Sequence, residues 1–120
     1  MRRAGVFVGK AVIDFSHLTQ ALDEGSPCGP DCEYDADFLA LSQAATGKPE
    51  QQFGETVIPA VEPDWRDVDR LAQALFSKTK DLRVGALLAL ANTYLAGVEG
   101  YSAGLDLLVT LCERYWDHVH

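Results

Sequence analysis

A chain of 120 residues, 48% hydrophobic and 23% charged, has the length and apolar content for one domain whose core needs no disulfide or metal staple. Eighteen acidic against ten basic residues leave a formal charge of -8. Such a surface repels phosphate backbones and anionic bilayers, excludes a nucleic-acid role, and favours basic or mixed protein surfaces as partners.

Met1 to Ile13 carries two arginines and an apolar run in the manner of a signal peptide, but Lys10 interrupts the run and no small-residue cleavage site precedes Asp14. It is read as a flexible leader, 1-13, on a cytoplasmic protein. A short first helix follows, capped by Asp14 or Ser16, with Phe15, Leu18, Ala21 and Leu22 at helical spacing. It stops before Gly25, and Pro27 and Pro30 forbid its continuation. Asp35 reads as the N-cap of a second helix with Phe38, Leu41 and Ala45 inward and Gly47 as its stop.

Residues 48-64 form a long loop with Pro49, Gly54, Pro59 and Pro63, of a kind that is often functional. Thr56-Val57-Ile58 has strand propensity without an obvious partner strand. Asp64 caps a third helix with Val68, Leu71, Ala72 and Leu75 on one face. Asp81 caps a fourth, apolar on every side and therefore expected to be central and buried, ending at Gly97. The fifth is expected from about Tyr101 to Val119, with Leu105, Leu108, Cys112, Tyr115, Trp116 and Val119 as its inner stripe. Short connections make helices three to five antiparallel neighbours. The predicted fold is all-α: an antiparallel bundle of about five helices with one long Pro/Gly-containing loop.

No motif for catalysis or metal binding is complete in the sequence. Cys28 and Cys32 would need two more ligands to hold zinc, and His17, Cys112, His118 and His120 lack ligand-like spacing. Three cysteines without a signal peptide argue against a disulfide framework. The alternating acids Asp31, Glu33, Asp35 and Asp37 imitate the start of an EF-hand loop, but Ala36 replaces its glycine and Ser42 its bidentate glutamate. The simpler role for these acids is to favour the positive end of the second helix. No serine elbow, zinc-protease helix motif or phosphate loop is present. The expectation is no cofactor, no metal and no catalytic residue.

The remaining candidates are protein contacts. Trp65 and Arg66 open the third helix and are residue types that anchor interfaces, although Trp65 also suits a plug at the end of the core. Phe53 and Ile58 either fold back on the helices or form an exposed patch. With Asp31, Glu33, Asp35 and Asp37 they make up the candidate binding set.

Several stretches are distinctive in order: Pro27-Cys28-Gly29-Pro30-Asp31, Glu33-Tyr34-Asp35, Phe38-Leu39-Ala40-Leu41, and the run from Gly47 to Gly54. Pro63-Asp64-Trp65-Arg66, Thr79-Lys80-Asp81-Leu82-Arg83 and Glu113-Arg114-Tyr115-Trp116-Asp117 complete them. Together they resemble the N-terminal domain of the ImpA/TssA family of bacterial type VI secretion proteins, over roughly Asp14 to His120. Met1 to Ile13 is extra to that pattern, and Cys32 stands where an apolar residue such as leucine is more usual.

The resemblance implies a non-catalytic scaffold that touches baseplate, tube and sheath, or membrane-complex proteins. A ring-forming C-terminal region, which would carry any homo-oligomer, is expected to lie beyond this fragment. A self-association domain of a sheath-capping or anchoring accessory protein is the alternative, with a small metal or thiol enzyme as a remote third. Neither nucleic acid nor membrane insertion is implied.

Overall fold

The computed structural model describes residues 13-120, so the leader assigned to 1-13 falls almost wholly outside the described residues. Helix α1 spans Ala36–Thr46 and strands β1 and β2 span Gln51–Phe53 and Thr56–Ile58. Helices α2, α3 and α4 follow at Trp65–Leu75, Leu82–Ala96 and Val98–Tyr115. The expected first helix is a single 3-10 turn, Ser16–Thr19. The described residues therefore hold four α-helices and a small antiparallel sheet, mostly helical rather than purely all-α. The turn ends where Gln20 adopts extended backbone, well before Pro27 and Pro30.

All three aspartate caps form as the sequence predicts. Asp35 accepts from the Asp37 amide at 2.9 Å, Asp64 from the Arg66 and Asp67 amides, and Asp81 from the Arg83 amide at 2.8 Å. Each satisfies amides that a helix start leaves without intrahelical partners. Gly47 stops α1 at φ 68°, and a side chain there would strike the Val61 carbonyl oxygen at 2.5 Å.

The strand partner that Thr56-Val57-Ile58 seemed to lack is Gln51-Gln52-Phe53. The register pairs Gln51 with Ile58, Gln52 with Val57 and Phe53 with Thr56. Gly54, at φ 61°, takes the first turn position and Glu55 the second, as in a type II′ turn. Lys48 and Val61 exchange backbone hydrogen bonds of 2.9 and 2.8 Å and close the base of the hairpin.

Helix α3 packs between α2 and α4. One core cluster runs through the molecule, from Phe15 and Leu18 through Phe38, Leu41, Val68, Phe76 and Leu88 to Leu107 and Leu111. Three expectations about the last two helices fail. Helix α3 is central but not buried all round, since Leu90, Tyr94 and Leu95 stay exposed. Its principal helical neighbours are α2 and α4, and the three exposed residues lie toward its C-terminal end, where Tyr94 covers one ring face against Trp65 of α2.

The last helix starts earlier than expected, because Gly97 at φ 64° reverses the chain by itself. It also turns a different face inward. Gly100, Ala103, Gly104, Leu107 and Leu111 are buried, whereas Leu105 and Trp116 from the expected inner stripe are exposed. Small residues win the interface because they let backbones approach. A Cβ on Gly104 would lie 2.4 Å from the Ala89 Cβ, and one on Gly100 would lie 1.9 Å from the Asn92 carbonyl oxygen.

Candidate protein-binding surfaces

The acidic residues Asp31, Glu33, Asp35 and Asp37 sit together where the chain enters α1, and their charges are matched from within. Asp31 accepts from the Glu33 amide at 3.0 Å and from Arg83 Nη2 at 2.9 Å. Glu33 lies 3.6 Å from Arg83 Nη1. Asp37 is ion-paired with Lys78, and Asp35, already a helix cap, lies 3.8 Å from the same ammonium.

Arg83 is the hub. It also donates from Nη2 to the fully buried Asp81 at 2.6 Å and stacks 4.9 Å from the centre of the Phe38 ring. Hydrogen bonding to Asp81 holds the Arg83 guanidinium firmly protonated, and the bond to Asp37 raises Lys78. The Glu33 amide, supported by Arg83, lowers the Asp31 carboxyl from its ordinary value. The acidic edge is thus partly a clamp that ties the entry to α1 onto the α2–α3 connection.

Within that connection Thr79, Lys80 and Asp81 are buried and hydrogen-bonded, while Ser77 and Lys78 are exposed. Thr79 Oγ1 donates to the Pro30 carbonyl at 2.7 Å, the Lys80 amide to the Cys28 carbonyl at 2.8 Å, and Lys80 Nζ to the Phe76 carbonyl at 2.7 Å. The His120 ring contacts the Gly29 carbonyl at 2.7 Å. The Thr79-Lys80-Asp81-Leu82-Arg83 and Pro-Cys-Gly-Pro stretches therefore meet in one knot. Cys28 and Cys32 are both buried, and burial pushes both thiols up, away from the reactive thiolate. Among the described residues no three His, Cys, Asp or Glu side chains gather as metal ligands.

A hollow between the N-terminal turn and α4, lined by Ile13, Phe15, Thr19, Ala103, Leu107 and Arg114, measures about 130 Å³. That is well below the roughly 300 Å³ at which small-molecule sites begin.

The hairpin is of a different kind. Every residue from Gln51 to Glu62 is exposed. Phe53 and Ile58, expected either to fold back or to form a patch, form the patch: they are 64% and 45% exposed. Paired positions share a sheet face, so Phe53 and Ile58 stand diagonally on one side and Val57 on the other. Val61 extends the exposed apolar surface toward the hairpin base.

Trp65 is half-buried and stacks on Tyr94, with ring centroids 4.4 Å apart and planes 7° from parallel, so it plugs the start of α2 against α3. Arg66 next to it is exposed. The structure does not merge the eight candidates into one site. The acids belong to the clamp at one end of α1, and the hairpin, Trp65 and Arg66 belong to the segment that follows its other end. Sequence reasoning missed Val57, Val61 and Tyr94. A Gly-X pair between two three-residue runs was the available signal for the hairpin, masked by the two glutamines of β1.

A family model described as ImpA, N-terminal, type VI secretion system, matches residues 19–120. The chain is 46% identical over 109 residues to the type VI secretion system component TssA1 of Pseudomonas aeruginosa, across 91% of this chain and 32% of that protein. It therefore spans about a third of that relative's length. A solved structure, the N-terminal domain including the conserved ImpA_N region of the TssA component from Burkholderia cenocepacia, aligns with a TM-score of 0.74 at 29% identity. That alignment covers 98% of this chain and 43% of that one.

Proposed function

The chain belongs to the ImpA N-terminal family of type VI secretion proteins, and from that premise we propose that it is a non-catalytic protein-binding module of a secretion-machine assembly component. Its contact edge in this proposal is the β1–β2 hairpin with the adjoining Arg66. One observation carries this reading: the hairpin holds Phe53, Val57, Ile58 and Val61 in water. An apolar patch of this sort contributes little to folding and is characteristic of interaction sites. The hairpin edges also offer unpaired backbone groups to an added strand. Buried thiols, matched carboxylates and the small hollow supply no competing chemistry.

The expected partners are baseplate, tube, sheath or membrane-complex subunits that present a basic or mixed surface to a chain of charge -8. The test is capture of purified subunits of each kind by the parent and by the double variant Phe53→Ser, Ile58→Ser. At least one subunit should be retained by the parent and lost by the variant, whose stability should change by less than about 0.5 kcal/mol per site because both side chains are exposed. Retention of no subunit at low salt, or equal retention by the variant, would overturn the assignment.

A further inference from the structure

Helix α4 has a second apolar face. Val98, Tyr101, Leu105, Val109, Cys112 and Trp116 recur at intervals of three and four residues and so form one stripe along the helix. The buried residues of the same helix, Gly100, Ala103, Gly104, Leu107 and Leu111, occupy the opposite side. Val98 is 82% and Trp116 74% exposed, and Tyr101, Leu105 and Val109 are exposed as well. With side chains of this size the stripe leaves on the order of 500 Å² of apolar surface in water, in the range of patches that mark interaction sites.

We infer that this stripe is a second docking surface, separate from the hairpin, and that its occupant is an amphipathic helix with basic borders. Charge argues for that occupant. Glu99, Glu113 and Asp117 follow one border of the stripe, are exposed, and make no ion pair among the described residues. In this they differ from the acids near α1, which Lys78 and Arg83 neutralise.

A second copy of the chain suits the surface poorly. An antiparallel pair would set Glu99 of one copy beside Glu113 of the other, and each copy carries a charge of -8. A helix of about 18 residues, some 27 Å long, matches the stripe from Val98 to Trp116. Lysines or arginines beside its apolar positions would pair with the acidic border.

The probe is a labelled 18-residue helical peptide with leucines at the same three-four spacing and lysines along the borders, set against a companion with glutamates in place of the lysines. Fluorescence anisotropy should show saturable binding of the lysine peptide at least tenfold tighter than that of the glutamate peptide. Leu105→Glu should weaken it at least tenfold. Glu99→Lys with Glu113→Lys, at exposed positions, should reverse the preference between the two peptides even if Leu105→Glu disturbs the fold. Equal binding of the two peptides, or an unchanged preference after charge reversal, overturns the inference. So does light scattering that finds a dimer of the parent which Leu105→Glu abolishes, because a second copy then covers the stripe. Phe53→Ser, Ile58→Ser should bind the peptide like the parent, so failure here leaves the hairpin assignment standing.

Discussion

Arg83 and Lys80 stand three residues apart and meet their surroundings in opposite ways. Arg83 keeps its guanidinium partly in water and distributes its donors over Asp81, Asp31 and Glu33, so the buried carboxylate of Asp81 never lacks a partner. Lys80 is buried, and its ammonium has the Phe76 carbonyl as hydrogen-bond acceptor and the face of the Phe76 ring 5.5 Å away. Burial, countered in part by Cys28, lowers the lysine below its ordinary value near 10.5. Between the lowered folded value and the unfolded one, the unfolded chain holds a proton that the folded chain has released. Stability from this group therefore rises with pH across that interval, and the penalty is carried in full below it. Measured by urea unfolding, the parent should gain stability relative to Lys80→Met as the pH climbs from 7 toward 10.5. A stability gap that stays constant over that range would show that the ammonium is well solvated in the folded state.

Among the elements, the α3–α4 pair is where packing overruled the apparent pattern. Large apolar residues on α4 suggested an inner stripe through Leu105 and Trp116, yet the helix seats its glycines against α3. The close approach explains the choice: Gly104 and Ala89 leave no room for another methyl group. Gly104→Ala should cost about 1 to 3 kcal/mol, because the helices must separate or shift, even though alanine is the better helix former. Ala89→Gly in the same chain should not rescue the loss, because the added methyl group would still lie 2.6 Å from the Ala89 Cα, a backbone atom. Denaturation midpoints of the single and double variants check this, and recovery to near the parent value would mean that only the two methyl groups meet. The caps were easier to read, since an aspartate before a helix acts on amides two and three residues away and needs no tertiary partner. The hairpin lay between these cases. Its turn glycine and its second strand were visible, but glutamines have no strong strand preference, and the first strand appears only once pairing supplies its hydrogen bonds.

For the whole molecule, a charge of -8 combines with two apolar surfaces that the fold leaves open, one on the hairpin and one on α4. Encounter with basic partners should then depend on salt: raising ionic strength from about 0.05 to 0.5 M shortens the screening length from roughly 14 to 4 Å and should weaken capture mainly through slower association. Surface plasmon resonance against a retained subunit checks this, and a salt-independent association rate would assign the contact to apolar burial alone. The sequence by itself determined the helical class, the three aspartate caps, the glycine stops and the acidic character, all of which follow from local backbone chemistry and composition. The ordered motifs along it also carried the family. Tertiary structure alone decided which faces were left over. Whether an apolar side chain is core or surface depends on what packs beside it, and small residues at a helix interface can outweigh large ones by closer approach. The same holds for the acids near α1: their sequence shows a run of negative charge, and only the arrival of Lys78 from the α2–α3 connection and Arg83 from the first turn of α3 turns that run into an internal clamp. The helical, acidic chain legible in the sequence thus becomes a fold with a matched acidic edge near α1 and two apolar surfaces left in water.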